Sequence, residues 1–421
     1  MKIVVVGSGG REHALAHQLV QSPQVERCYC LPGNGGTATL PKTENIALSG
    51  DDITGITQFC QGQAIDLVVV GPELPLTLGL ADQLRQVGIK VFGPGQVGAQ
   101  IEASKSWAKA LMMAAGVPTA FGETFTNEAS AQAYVTQQGA PIVVKADGLA
   151  AGKGVVVAMT EAEAQQAITE LFSQGFNKVV VEEFLVGQEV SVLALTDGLT
   201  VRPLLPAQDH KRIGEGDTGP NTGGMGVYAP APLATPSLME QVQKTVLEPT
   251  VAELRRRGID YRGVLYAGLM VGPEGQVKVL EYNCRFGDPE TQAILPLLVT
   301  PLEEVLLACV EQRLASLPPL QWQSASAVCV VLAAGGYPGA YAKGQVITGI
   351  EEARALGALV FHAGTELQAE QLLTAGGRVL GMTALGPDLK TAIAEAYRVL
   401  QPIYFEDMYY RRDIGHRALS T

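Results

Sequence analysis

The sequence predicts an α/β protein whose first hundred residues form a parallel sheet with helices on both faces. Three observations lead to this. Short apolar runs alternate with amphipathic ones from Met1 to about residue 102, the pattern of strand–helix–strand units. Each apolar run ends in a Gly/Pro loop: GSGG, PGNGG, GPELP and FGPGQ. Apolar residues make up 47% of the 421 and charged ones only 17%, a composition of packed cores and of a length for several domains.

Taken in order, strands are expected at Ile3–Val6, Val25–Leu31, Ile65–Val70 and Ile89–Phe92, and helices at Glu12–Gln21, Ile53–Gln61 and Thr77–Val87. Ligands of such sheets bind beyond the carboxyl ends of the strands, so the four loops on that edge form a binding surface. Residues 103–140 read as helical, broken at Gly116–Pro118. PIVVKADGLAAGKGVVVAM then places two strands around a glycine loop, a helix follows over Glu161–Phe172, and VVVEEFLVGQEVSVLAL gives two strands around a turn. Gln208 to Gly226 has almost no apolar residue and reads as one long polar loop, the kind that is either functional or disordered. A third unit of strands, with a helix over Leu389–Leu400, is expected to begin near Ser324.

Several classes are excluded. A net charge of −12 disfavours nucleic acid or an anionic membrane as partner. No apolar run approaches the ~18 residues that span a bilayer, and MKIVVVGS reads as a first strand, not a leader. The six cysteines show no C-x-x-C pair, which predicts a reduced, cytoplasmic chain. The five histidines have no metal-like spacing, and no nucleophile elbow occurs.

Four stretches carry chemistry. VVVGSGGREHAL resembles a dinucleotide fingerprint, G-x-G-x-x-G, but Glu12 stands at the third glycine. GLAAGKG, Gly148 to Gly154, falls one residue short of a Walker A loop, lacks its hydroxyl, and leads into a strand. It reads as a glycine flap whose N–H groups close over phosphates, with Lys145 and Lys153 as point charges. In VLEYNCRFGDPE, strand alternation puts Glu281, Asn283 and Arg285 on one face. A carboxylate beside an amide oxygen suits Mg²⁺ or Mn²⁺, and a guanidinium grips carboxylate or phosphate. QDHKRIGEGDTGPNTGGMG fits a cradle for a polar substrate.

In this order the parts resemble the ATP-grasp ligases. With GSGGREHAL, PGNGGTA, VGPE, KADGLAAGKGV, DHKR, DTGPNTGGMG, EYNCRFGDPETQ, AAGGYPG, FHAGT and DIGHRA, nearly the whole chain resembles their glycinamide ribonucleotide synthetase (phosphoribosylamine–glycine ligase) family. The resemblance implies a Rossmann-like N-terminal substrate domain over 1–102, an ATP-grasp domain over 103–320 with a mobile lid at about 119–190, and a small α+β domain over 321–421. It implies that glycine is joined to 5-phosphoribosylamine through a glycyl phosphate, with ATP as co-substrate and Mg²⁺ or Mn²⁺ as metal, in purine biosynthesis by a cytoplasmic monomer without fused partners. Lys153 and Arg285 would be catalytic. ATP would be held by Lys105, Lys145, Gly148, Gly152, Lys153, Gly154, Glu182, Glu183, Leu185 and Glu189. Substrate would be held by Gly9, Gly10, Arg11, Gly33, Asn34, Gly35, Glu73, Asp209, Lys211, Asn221, Gly223, Gly224, Arg285 and Asp288, and the metal by Glu281 and Asn283.

One departure stands out. Many ATP-grasp enzymes carry an acidic metal ligand on the strand before Glu281, and here that strand reads VLYAGLMV. A formate- or bicarbonate-using relative would share the flap and the metal strand but not DTGPNTGGMG. A dinucleotide oxidoreductase rests on the first turn alone. A non-catalytic nucleotide sensor would have no need of the metal pair and the lysines.

Overall fold

A computed structural model of the chain describes residues 1–149 and 154–419. Strands β1 (Lys2–Gly7), β2 (Arg27–Pro32), β3 (Thr43–Asn45), β4 (Leu67–Val70) and β5 (Val91–Phe92) form a parallel sheet in the order β3-β2-β1-β4-β5. Ile3 to Val6 are fully buried, as expected of a strand covered on both faces. Helices α1 (Gly10–Val20), α2 (Ile53–Gly62), α3 (Glu73–Thr77), α4 (Leu80–Gln86), α5 (Gln96–Ala103) and α6 (Lys105–Ala115) accompany it. The single helix expected over Thr77–Val87 is two, because Gly79 takes a left-handed φ of 87° between them. β3 is too short and polar to show in a hydrophobic pattern.

The stretch 103–140 is not all helix. β6 (Gly122–Phe125) precedes α7 (Glu128–Gln138) and joins β7 (Ile142–Ala146), β8 (Val155–Ala158) and β9 (Val179–Glu183) in the order β6-β9-β7-β8. Its four residues are half-buried or exposed, so no apolar run marks it. With α7 and α8 (Glu161–Ser173) this sheet closes a separate apolar core that includes Val144, Ile168 and Leu171.

Next come β10 (Gln188–Thr196), β11 (Val201–Pro203), β12 (Gln208–Asp209), β13 (Arg212–Gly214), β14 (Thr218–Asn221), β15 (Gly226–Ala229), β16 (Gly263–Val271) and β17 (Val277–Asn283). β9 and β10, adjacent in sequence, lie in different sheets, the second ordered β11-β10-β16-β17. β18 (Ser326–Ala333), β19 (Leu359–His362), β20 (Thr365–Gln368), β21 (Gln371–Thr374) and β22 (Arg378–Gly386) follow. The last large sheet runs β12-β15-β18-β22-β19 and therefore takes two strands from the middle of the chain.

The expected polar loop from Gln208 to Gly226 is thus structured, with the hairpin β13–β14 set between β12 and β15. Hydrogen bonds and ion pairs hold it where apolar contacts are scarce. Asp217 accepts from Arg411 at 2.9 Å and pairs with Arg417 at 2.7 Å, two residues from the far end of the chain. Among the described residues no helix is long and apolar enough to cross a membrane.

The N-terminal sheet locks onto the last sheet through histidines. His13 of α1 accepts from the His362 N–H at 2.7 Å, and Gly36 sits where a Cβ would strike both rings. Burial first, then His362, His17 and Arg354, hold the His13 imidazole well below its usual value. Burial, with Arg354 nearby, lowers His362 to about 3. Both rings are neutral in the fold and cationic in an acidic unfolded chain. Their contribution to stability is therefore fully present above the unfolded value of about 6.5 and is lost as pH falls toward 3. Lowering the pH from 7 to 5 should cost about 2 kcal/mol through His362 alone. Urea midpoints at the two pH values check this, and an equal decrement in His362→Gln would remove His362 from the account.

Candidate active site

A cavity of about 570 Å³ opens between the β6-β9-β7-β8 sheet and the β11-β10-β16-β17 sheet. Its wall includes Arg11, Glu73, Lys105, Lys145, Gly148, Gly154, Glu182, Glu183, Leu185, Glu189, Asp209, Lys211, Asn221, Gly223, Glu281, Asn283, Arg285 and Asp288, so most of the expected residues share one space. Gly152 and Lys153 lie outside the described residues. Gly9, Gly10, Gly33, Asn34, Gly35 and Gly224 do not line the cavity.

The first turn is closed by Glu12. Its Oε2 accepts from the Gly9 N–H at 2.6 Å and its Oε1 from Arg11 Nε at 2.5 Å. A Cβ on Gly7 or Gly71 would run into that carboxylate. The residue that spoils the dinucleotide fingerprint thus caps α1 from inside and orients Arg11, whose Nη1 donates to the Phe286 carbonyl at 3.1 Å. Asn34 ties the neighbouring loop. Its Nδ2 donates to Ser8 O at 2.9 Å and His362 O at 2.8 Å, and its Oδ1 accepts from the Gly36 and Thr37 amides.

On the flap side, Lys145 pairs with Glu182 at 2.6 Å and donates to Leu280 O at 3.0 Å. Lys109, which no motif singled out, pairs with the other oxygen of Glu182 at 2.9 Å. It lies one helical turn beyond Lys105 on α6, the spacing that could have revealed it. Lys105 donates to Gly148 O at 3.1 Å; burial depresses its ammonium, while Glu281 pulls it upward. Glu183 pairs with Lys278 and accepts from the Phe121 amide at 2.8 Å.

The metal-type pair lies on β17 as strand alternation requires, with Tyr282 turned into the apolar core. Burial works against ionisation of Glu281, but Lys211, Lys145, Lys105 and Arg285 around it hold its carboxyl below the usual value. Its ion contact is loose, 3.6 Å to Lys211, whose firmer partner is Glu189 at 3.1 Å. Glu189, against the opposing effect of burial, raises the Lys211 ammonium well above normal. Asn283 Oδ1 accepts from Arg285 Nη2 at 3.0 Å. Arg285 also meets Glu102 at 2.8 Å and Glu73 at 3.3 Å. Burial opposes the Arg285 charge, and these two carboxylates restore it. Glu102, at the end of α5, and Arg378, which donates to Gly223 O at 2.6 Å and pairs with Asp288 at 3.1 Å, were not legible locally. Each stands alone among residues without a motif, and only the fold brings it to the cavity.

Two hard oxygens side by side, facing several cations, fit a divalent ion that takes its other ligands from phosphate. Among the described residues no cluster of three or more His, Cys, Asp and Glu suits a metal on its own.

The sequence matches three family models: Phosphoribosylglycinamide synthetase N domain over 1–102, ATP-grasp (A) domain over 103–291 and C domain over 327–417. A phosphoribosylamine–glycine ligase of Synechocystis sp. is 71% identical over 419 residues, covering 100% of both chains. One of Nostoc sp. is 63% identical over 425 residues, again covering 100% of each. The crystal structure of phosphoribosylamine–glycine ligase from Thermotoga maritima superposes with a TM-score of 0.84 at 34% identity, over 98% of this chain and 100% of that one. An ATP-analogue complex of biotin carboxylase from Campylobacter jejuni shares the fold, with a TM-score of 0.73 at 14% identity over 97% and 92% of the two chains.

Proposed function

Because this chain belongs to the phosphoribosylglycinamide synthetase family, an ATP-grasp ligase family with N, A and C domains, we propose how its cavity performs the family reaction. The chain is an ATP-dependent carbon–nitrogen ligase that joins glycine to 5-phosphoribosylamine in purine biosynthesis. A carboxylate is a poor electrophile, so the γ-phosphoryl group is first transferred to glycine, and the ribosylamine nitrogen then displaces phosphate from the glycyl phosphate. The protein supplies alignment, charge and exclusion of water.

Lys105, Lys145 and Lys153 hold the ATP phosphates, with the flap amides from Gly148 to Gly154. Glu182, Glu183, Leu185 and Glu189 receive the nucleoside. Glu281 and Asn283 hold the divalent ion, Mg²⁺ or Mn²⁺, which when bound neutralises phosphate charge. Arg285 releases Asn283 and grips the carboxylate of glycine or its acyl phosphate. Arg11, Glu73, Asp288 and the segment from Asp209 to Gly224 face the amine substrate, and Gly9, Gly10 and Gly33–Gly35 shape the sugar-phosphate side. The substrate domain comprises residues 1–102, the ATP-grasp domain 103–320 with its lid at about 119–190, and the last domain 321–421. The enzyme works as a cytoplasmic monomer.

What supports this reading above all is the convergence of Lys105, Lys145, Lys211, Glu281, Asn283 and Arg285 on one cavity between two sheets. The test is ADP release, expected to require both glycine and freshly generated phosphoribosylamine. Equal release with formate or bicarbonate in place of glycine would overturn it.

A further inference from the structure

Two carboxylates in the cavity have no role in the account above, or only a general one. Glu290, at the start of the helix Glu290–Ile294, is 2% exposed, and Asp209 is 8% exposed. Both reach the cavity wall. Glu290 Oε1 accepts from Tyr266 Oη at 2.6 Å and Ser191 Oγ at 3.0 Å, so two hydroxyls fix it in place. Asp209 Oδ1 is buried without a hydrogen-bond partner. The cations around them are committed elsewhere, Lys211 to Glu189 and Arg378 to Asp288. Burial first, and Glu290 next, push the Asp209 carboxyl well above its usual range, with Lys211 and Arg378 too far engaged to cancel this.

Two buried carboxylates facing one another without a cation are costly unless a ligand supplies the charge. The ligand must be small and cationic, and must arrive with the substrates. Tyr266 connects this pair to the carboxylate-gripping side of the cavity, since it donates to Glu290 and also acts electrostatically on Arg285. A zwitterion spans such an arrangement, with its carboxylate toward Arg285 and its ammonium toward the acids.

We infer that Asp209 and Glu290 form the seat for the α-ammonium of glycine, with Ser191 and Tyr266 positioning Glu290. This rests on the ligase reading above and deepens it. The seat gives the site two properties. It rejects carboxylates that lack a cation, such as formate, bicarbonate or glycolate. It also keeps the glycine nitrogen protonated, so that this nitrogen does not attack its own acyl phosphate in place of the ribosylamine.

The experiment measures steady-state ADP formation by the full chain, with glycine, ATP and phosphoribosylamine varied in turn and glycolate as the isostere without an ammonium. Glu290→Gln and Asp209→Asn should each raise the KM for glycine by about 30-fold or more, the usual loss when one partner of a buried charge pair is removed. The KM for ATP should stay within about twofold, and the preference for glycine over glycolate should fall by about tenfold or more. Tyr266→Phe, which keeps the carboxylate but loses its hydroxyl, should raise the glycine KM by a smaller factor. If Glu290→Gln does not fold, Asp209→Asn decides alone. An unchanged glycine KM and glycine/glycolate ratio in the folded variants overturns the ammonium seat. Failure of the unaltered chain to use glycine at all would instead overturn the ligase reading.

Discussion

Glu281→Gln should lower glycine- and phosphoribosylamine-dependent ADP formation by about a thousandfold or more, because an interaction with a metal-bound phosphate contributes several kcal/mol to the transition state. The same change should leave the urea midpoint close to that of the unaltered protein. Glu281 is 40% exposed along its side chain, and its ion contact is a loose 3.6 Å to Lys211, so little of the fold depends on it. Glutamine keeps the shape and one neutral oxygen but removes the charge that balances Lys105, Lys145 and Lys211. Turnover at saturating Mg²⁺ within a few-fold of normal would remove Glu281 from the metal site.

Arg285→Met should damage both stability and activity, and the two losses should be separable. Arg285 is the cation beside Glu102, whose side chain is only 8% exposed and which also accepts from the Cys284 amide at 2.8 Å. Burial already raises the Glu102 carboxyl, with Arg285 pulling the other way. Without the guanidinium a buried carboxylate is stranded, at a cost of about 3–5 kcal/mol. Denaturant titration should show that loss in Arg285→Met and its recovery in the double variant Arg285→Met, Glu102→Gln. Ligation should not recover, because the fork that grips the glycine carboxylate is gone in both. A double variant with normal kcat/KM for glycine would reduce Arg285 to a structural role.

Much of this was legible in the sequence, for physical reasons. The buried valine runs of β1 and β4 admit only a covered parallel sheet, and alternation along β17 fixed which of Glu281, Tyr282 and Asn283 share a face. Side-chain period is a local property and survives without a structure. What could not be read depends on partners far along the chain. β6 has no apolar run because it is an edge strand paired only with β9. The segment from Gln208 to Gly226 reads as a loop because its order comes from Arg411 and Arg417, nearly two hundred residues away. Lys109, Glu102, Glu290 and Arg378 reach the cavity by the same long-range route. The first turn was half legible. Glu12 was visible as a departure from the dinucleotide fingerprint, but its turn inward to cap α1 needs the three-dimensional path.

The sheet β12-β15-β18-β22-β19 carries a consequence for inheritance. A gene segment ending near residue 320 would encode β12 and β15 but none of the strands that extend their ladder. β15 would be left as an open edge that pairs with any other strand it meets. The segment that faces the amine substrate hangs from those two strands, so the truncated product would lose its acceptor site along with its solubility. The three parts are therefore not interchangeable modules: the last one completes the middle one, and recombination within this family must move them together.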